Sequence, residues 1–380
     1  MKGKSSRRKF LQNGLMVPAA GLIAARGLEG FPQAPAPIPY RTLGKTGLKV
    51  SGVGFGIGYT PDPVVLERAI DLGVNYFDTS RVYKDSEKVF GSVIKGKRDK
   101  VVISTKTGTN TREQILKDIE TSLQMLGTDY VDVYHMHARD TAARVSDEAL
   151  EAMKLIKKQG KARFIGLSTH DPNTMADNIL KYGLDVVQTT YSYAIGAPFR
   201  DAALDKLHAA GVGIIAMKVV IGLTGLHLDM KNPEQKPKIT SEGCVAAIKW
   251  VLKNPRIGTT VPHHGDLSQL EMNVRAMSES YTPADEKLLY VRNEQNRPFY
   301  CRMCYECNGQ CPKGVPVTDE LRFLAYNDFG RDIHQARRSF LELPQEIRDV
   351  RCRDCSDCAI QCRNGVRVQE RLIRAQGLLA

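Results

Sequence analysis

Phe77-Asp78-Thr79-Ser80-Arg81-Val82-Tyr83 sets an acid and a phenol five residues apart, just beyond an apolar run from Val74 to Phe77. The run predicts a strand ending in a loop, and a loop at the carboxyl end of a barrel strand is where that architecture keeps its chemistry. Taken alone, the heptad reads equally well as a capping Asp and a packed Tyr. Two more runs weigh against that. Val101-Val102-Ile103-Ser104-Thr105-Lys106 ends in a basic residue, and Val131-Asp132-Val133-Tyr134-His135-Met136-His137 ends in His. Three successive strand ends therefore offer Asp and Tyr, then Lys, then His.

From Pro39 to Met277 the same β-then-α pattern recurs eight times. The predicted strands are Val50–Phe55, Val74–Thr79, Val101–Lys106, Val131–His137, Phe164–Ser168, Val186–Tyr191, Gly213–Lys218 and Gly258–Pro262, each a short apolar run followed by a segment of helical period. Pro63 opens the first helix and Leu72-Gly73 closes it; Ala152 to Lys158 runs into Gly160. Eight such units predict an α/β fold, a (β/α)8 TIM barrel over residues 37–298. An open doubly wound sheet would want a GxGxxG loop opening a helix after its first strand, and Gly52-Val53-Gly54-Phe55-Gly56 has neither the spacing nor the helix.

At this point the chain resembles the aldo-keto reductases, through the strand-end residues above, through Tyr40-Arg41-Thr42-Leu43-Gly44-Lys45-Thr46-Gly47 at its start, and through Gly160-Lys161-Ala162-Arg163-Phe164-Ile165-Gly166-Leu167-Ser168 before the fifth helix. The resemblance implies a catalytic tetrad of Asp78, Tyr83, Lys106 and His137. Tyr83 would protonate the oxygen as hydride reaches the carbonyl carbon, Lys106 would polarise its hydroxyl, Asp78 would hold Lys106, and His137 would orient the carbonyl. His135, two residues earlier, reads as a pocket-lining or core His, because a zinc site would need ligands the sequence does not mark. For the nicotinamide, Ser168 and Gln188 match the family positions, whereas Thr169, followed by His170, stands at the family's Asn and Met217 at its stacking aromatic. Val261-Pro262-His263-His264-Gly265-Asp266 resembles the adenosine-phosphate segment without its Lys and Arg, with Gln269 and Asn273 as adenine-side candidates. Asp266 would repel a 2′-phosphate, so NAD is expected in preference to NADP.

Ser6-Arg7-Arg8-Lys9-Phe10-Leu11 resembles the twin-arginine export signal, and the uncharged stretch to Ala25 is short and rich in Gly and Ala for a membrane span. An anchoring N-terminal helix is the alternative. Residues 1–36 are thus expected to be signal and linker, the mature protein periplasmic or extracytoplasmic with no stable membrane span. The formal charge of +12 draws heavily on Lys2, Lys4, Arg7, Arg8, Lys9 and Arg26. No Lys/Arg cluster with interleaved aromatics follows, which argues against nucleic acid as a partner.

Residues 299–380 hold eight of the nine cysteines, as Cys301, Cys304, Cys307 and Cys311, then Cys352, Cys355, Cys358 and Cys362. Each run is C-x2-C-x2-C-x3-C, the bacterial ferredoxin spacing for two [4Fe-4S] clusters, in which the fourth Cys of each run ligates the other cluster. Four-thiolate zinc uses two separated knuckles instead, and an export route that carries folded proteins suits clusters better than disulfides. Helices are predicted at Asp319–Tyr326, Ile333–Leu341 and Gln345–Val350, which makes this a small, mainly helical ferredoxin-like domain. The function expected is an exported iron-sulfur aldo-keto reductase acting on a small carbonyl or alcohol of sugar-like character. The alternative is a non-catalytic barrel whose clusters relay electrons to a separate redox partner. Structural clusters and electron-transferring clusters both stay open.

Overall fold

The computed structural model describes residues 38–58, 61–196, 199–223, 241–330 and 332–380; the export-signal expectation falls on residues 1–37 and lies outside them. A short antiparallel hairpin, β1 (Tyr40–Thr42) and β2 (Lys49–Ser51), comes first. Eight parallel strands follow in consecutive order: β3 (Phe55–Gly56), β4 (Tyr76–Asp78), β5 (Val102–Thr107), β6 (Val131–Met136), β7 (Ala162–Thr169), β8 (Val186–Thr190), β9 (Gly213–Met217) and β10 (Ile257–Thr260). The ring closes between its ends, where Gly54 N donates to Thr260 O at 2.8 Å, Gly56 N to Pro262 O at 2.8 Å, and Thr260 N to Gly52 O at 2.9 Å. A Cβ on Gly54 would stand 2.8 Å from Tyr76 O, so only glycine permits this approach.

Val50–Phe55, expected as the first barrel strand, is two pieces. Its first half belongs to the hairpin, Val53 makes a single parallel bridge to Thr260 of β10, and Phe55 enters the barrel sheet. The β-branched run cannot carry one register because the chain turns at Ser51–Val53. Leu43, Leu48 and Val50 of the hairpin pack with Tyr76, Val102, Val133, Val186 and Ile215 inside the barrel and plug its amino end. Space for Leu43 exists because Gly213 and Gly258 lack side chains; a Cβ on either would meet it at 2.7 Å.

Around the barrel stand α1 (Pro63–Asp71), α2 (Ser86–Val93), α3 (Arg112–Leu126), α4 (Asp147–Lys158), α5 (Pro172–Tyr182), α6 (Asp201–Ala209), α7 (Ser241–Leu252) and α8 (Leu267–Arg275). Their ends follow local chemistry. Pro63 and Pro172 occupy first turns capped by Asp62 and Asp171, while Gly73 and Gly183 take the left-handed conformation that lets the chain leave the helix. Between strands and helices lies one continuous apolar layer that includes Phe77, Phe90, Ile103, Ile119, Tyr134, Ile165 and Ile248.

The cysteine-rich tail is helical and sits on the barrel. After α9 (Pro283–Asn296) come α10 (Val317–Asp328), α11 (Ile333–Leu341), the single turn α12 (Gln345–Arg348) and α13 (Val368–Leu379). α10 packs against α11 and α13, and Asp328, fully buried, takes hydrogen bonds from Arg371 and Arg374 of α13. Tyr300, Met303, Ala325 and Phe329 share a core with Ala194, Leu223, Ala246 and Leu289 of the barrel side, and residues 38–380 cluster as one compact unit. α9 and α13 lie outside the helices that the sequence predicts.

Candidate active site

β4 ends at Asp78, whose carboxylate is buried and fully engaged. Lys106 Nζ donates to Oδ2 at 2.6 Å, Gln188 Nε2 to the same oxygen at 3.0 Å, and Ser104 Oγ to Oδ1 at 2.8 Å. These partners come from the ends of β5 and β8, so register alone converges them: Asp78 pairs with Ser104 and Lys106 with His135 across the sheet. Lys106 is 1% exposed and also donates to Thr79 O at 2.7 Å. Burial pulls its pKa down while Asp78 pulls it back toward the charged form.

Tyr83 hangs from the loop between β4 and α2. That loop is tied to its strand, with Tyr83 N donating to Ser80 O at 2.9 Å and Arg81 N to Lys106 O at 2.9 Å, and the next residue, Lys84, has φ +48°. The phenol ring stands 5.8 Å from Lys106 Nζ and edge-on to the His137 imidazole, centroids 5.7 Å apart. His137 Nδ1 lies 3.3 Å from Ser80 Oγ. Burial, then the positive field of Lys106, His170, Lys218 and Arg139, holds the His137 pKa well below its ordinary value, so at neutral pH it carries one proton and no charge. The four residues expected as a tetrad are thus brought together at three adjacent strand ends.

Tyr83 and His137 line a cleft of about 320 Å³ together with Gly108, Arg139, Arg144, Ser168, Met217 and Lys218, while the Asp78–Lys106 pair lies buried behind them. Of the nicotinamide candidates, Ser168 and Met217 are on this wall. Ser168 Oγ accepts from Ala138 N at 2.8 Å, and Gln188, its neighbour in register on β8, leaves Oε1 buried without an acceptor's partner among the described residues. Gln269 and Asn273 lie elsewhere, on α8. Gln269 binds Asp266 and Gly265, and Asp266 caps the helix by accepting from Gln269 N at 2.8 Å. Asn273 gives its amide to His264 Nδ1 at 3.2 Å. His135, read as pocket-lining or core, is fully buried with neither ring nitrogen hydrogen-bonded among the described residues.

His264 carries a consequence for acid stability. It is 3% exposed, its Nε2–H directed at Gly54 O at 3.2 Å, and its ring packs on Phe55 with centroids 4.7 Å apart. Burial lowers its pKa to about 4. The unfolded chain takes this proton near pH 6.5 and the folded one resists until about 4, so the stability is fully present above 6.5 and is lost as pH falls from there toward 4. The expected loss is about 3 kcal/mol from this residue. Denaturant unfolding at pH 7 and pH 5 should show a slope that His264→Asn reduces by one proton; an unchanged slope counts against it.

The structure adds residues that the sequence did not mark. Arg322, Phe323 and Tyr326 from α10, with Gln335, Arg338 and Ser339 from α11, form the outer wall of the tetrad's cleft. Tyr326 OH stands 3.4 Å from His170 Nε2 and accepts from Arg322 Nη1 at 2.9 Å, while Asp140 Oδ2 lies 3.0 Å from His170 Nδ1. Burial lowers the His170 pKa to about 4, and burial alone would raise Asp140, which His170 and Arg322 hold below the carboxylate range. Wholly buried Arg200 joins the two parts, donating to His170 O at 2.9 Å and Met303 O at 2.8 Å. The only hint in the sequence is the i, i+4 spacing of Arg322 and Tyr326, which also describes a solvated face.

The cysteines fall into two sets. Cys301, Cys304, Cys307 and Cys362 surround one cavity, and Cys311, Cys352, Cys355 and Cys358 surround another. Among the described residues no three His, Cys, Asp or Glu converge on a single ion-sized point. Thr318 Oγ1 of α10 lies 3.4 Å from Cys307 Sγ, one turn before Arg322 enters the cleft.

A family model described as "Aldo/keto reductase family" matches residues 62–244. L-galactose dehydrogenase from Arabidopsis thaliana is 30% identical over 285 residues, which is 64% of this chain and 89% of that protein. L-glyceraldehyde 3-phosphate reductase from Escherichia coli O157:H7 is 25% identical over 324 residues, 68% of this chain and 93% of that protein. Among solved structures, an aldo-keto reductase from Bacillus halodurans in its holo form superposes with a TM-score of 0.56 at 22% identity, covering 67% of this chain and 96% of its own.

Proposed function

The chain belongs to the aldo/keto reductase family, and on that premise we propose that it is an exported iron-sulfur oxidoreductase moving hydride between a nicotinamide dinucleotide and the carbonyl carbon of a sugar-like molecule. The observation that carries this is the grouping of Asp78, Lys106, Tyr83 and His137, with Tyr83 and His137 on the cleft and the Lys106–Asp78 pair buried beside the Tyr83 ring. When bound, the dinucleotide supplies the hydride. Tyr83 hands a proton to the oxygen that gains charge, Lys106 polarises the phenol, Asp78 fixes Lys106, and the neutral His137 points an N–H at the same oxygen. Ser168 and the unpartnered Gln188 Oε1 are the polar groups that would hold a carboxamide, and Met217 would supply an apolar surface for the ring. Relatives named for galactose and glyceraldehyde phosphate support a polyhydroxy carbonyl as substrate. The test is NADH consumption by anaerobically prepared holoprotein with a panel of aldoses and short aldehydes. No turnover with any carbonyl, and no dinucleotide binding, would favour a non-catalytic barrel.

The same reading gives the tail two [4Fe-4S] clusters. The residues fit, since each cavity brings four thiols together with no imidazole in its lining, and the apolar residues Val315, Val317, Leu321, Val366 and Leu372 pack around them. Clusters so held tie the helices of the tail in place and can carry single electrons. Export by the twin-arginine route belongs to this proposal through Arg7 and Arg8 alone.

For the dinucleotide, NADH is expected to bind about tenfold or more tighter than NADPH. The segment after β10 offers His263 and His264 but no guanidinium or ammonium, and Asp266 is fixed there as the cap of α8. Asp266→Arg should narrow or reverse the gap, at a stability cost of about 1 kcal/mol for the lost cap. Calorimetric titration checks both; tighter NADPH binding by the parent would reverse the assignment.

A further inference from the structure

The wall of the tetrad's cleft bears more positive charge than its carboxylates balance. Its charged lining residues among those described are Arg139, Arg144, Lys218, Arg322 and Arg338 against Glu342. Arg322 is answered by Asp319 at 2.6 Å and Asp140 at 3.6 Å, and Arg338 stands one helical turn before Glu342. The other three make no ion pair among the described residues. Arg139 is 7% exposed, spends Nη1 and Nη2 on the carbonyls of His137 and Thr109, and leaves Nε buried without a partner. Arg144, on the same loop after β6, is close enough for its charge to depress the Arg139 guanidinium further after burial has done so, with buried Asp140 opposing both in part. Lys218 closes the other side from the end of β9, held at φ +58° with its ammonium 4.4 Å from the Tyr326 ring centroid. Like charges gathered at one wall of a half-enclosed site repel, and an anion bound among them relieves that repulsion.

We propose that the cleft takes an anionic carbonyl substrate, an aldehyde or ketone whose carbon chain bears a carboxylate or phosphate, with Arg144 on one side and Lys218 on the other holding that oxyanion and the buried Arg139 adding its positive charge from behind. The site lies immediately beyond His137, so a chain of a few carbons spans from the anion to the tetrad. Guanidinium forks match carboxylate and phosphate oxygens alike, and a charge-assisted contact discriminates against the neutral analogue by about 10- to 100-fold. The carbonyl end of the inference rests on the reductase reading above; the anion site does not.

The experiment uses full-length holoprotein with NADH and two matched pairs, glyceraldehyde against glyceraldehyde 3-phosphate and glucose against glucuronate, with calorimetric titration of inorganic phosphate and malonate alongside. The expected result is kcat/KM about 10- to 100-fold higher for the charged member of one pair, which tells phosphate from carboxylate, and a charged-to-neutral ratio that falls about tenfold in Arg144→Gln. Because Arg139 also braces two backbone carbonyls, Arg139→Gln is the second variant rather than the first. Equal kcat/KM within both pairs, or a preference that Arg144→Gln and Arg139→Gln leave intact, overturns the proposal. Should no aldehyde be reduced while phosphate or malonate binds and Arg144→Gln weakens that binding, the anion site stands and the reductase reading falls. Absence of both turnover and anion binding ends both.

Discussion

Tyr83→Phe is expected to lower carbonyl reduction by about 10²- to 10⁴-fold while leaving dinucleotide affinity nearly unchanged, the range found when a general acid is removed. The change deletes one oxygen and keeps the ring, so the edge-on contact with His137 survives and Lys106 keeps its bonds to Asp78 and Thr79 O. What disappears is the proton donor beside the carbonyl oxygen. An interaction made only as charge develops appears in kcat, not in ground-state binding, so kcat and kcat/KM should fall together. His137 cannot substitute readily. Its depressed pKa leaves it neutral at pH 7, able to donate a hydrogen bond but not to act as an imidazolium acid. Steady-state kinetics with saturating NADH, together with calorimetric titration of NADH into both proteins, separates the outcomes. Full turnover by the variant would move the acid elsewhere, with Tyr326 on the opposite wall of the cleft the first place to look: against the rise that burial would cause, Arg322 and Lys218 hold its pKa below the ordinary phenol value.

The strand ends were legible because burial and chemistry alternate there with little ambiguity. Runs such as Val131 to Met136 are buried on both faces, as parallel strands in a barrel must be, and the first polar residue past each run falls at the mouth. The first strand was misjudged where that logic weakens, since Val50 to Phe55 reads as one β-branched run although Gly52 and Gly54 let the chain leave one sheet and enter another. The outer wall of the cleft was illegible for a different reason. Arg322 and Tyr326 look like the solvated face of a helix, and only the docking of α10 over the barrel brings them against His170 and Lys218. Local periodicity reports how a helix is buried, not what it is buried against. For Gln269 and Asn273 the resemblance supplied positions that the sequence could not check, and the structure shows both side chains engaged within the segment after β10.

Cys311→Ser is expected to damage the cluster of the second cysteine run and spare that of the first, although Cys311 belongs to the first run in sequence. The chain turns after Cys307 so that Cys311, Pro312 and Lys313 border the cavity of Cys352, Cys355 and Cys358, while Cys362 borders that of Cys301, Cys304 and Cys307. Each run thus sets its fourth thiol at the other's cavity, and clusters bound there as proposed would pin the intervening helices at both ends. Those helices include α10 and α11, the outer wall of the catalytic cleft, so loss of either cluster should also raise KM for the carbonyl more than it lowers kcat. Iron analysis of the anaerobic parent should give about eight iron per chain, falling toward about four in Cys311→Ser and in Cys362→Ser. Paramagnetic spectra of the reduced variants should each lose a different signal. If Cys311→Ser and Cys355→Ser extinguish different signals, the thiols pair within their own runs and the exchange is wrong. About four iron in the parent would leave one cavity without a cluster, and stoichiometric zinc would overturn the iron-sulfur assignment for both.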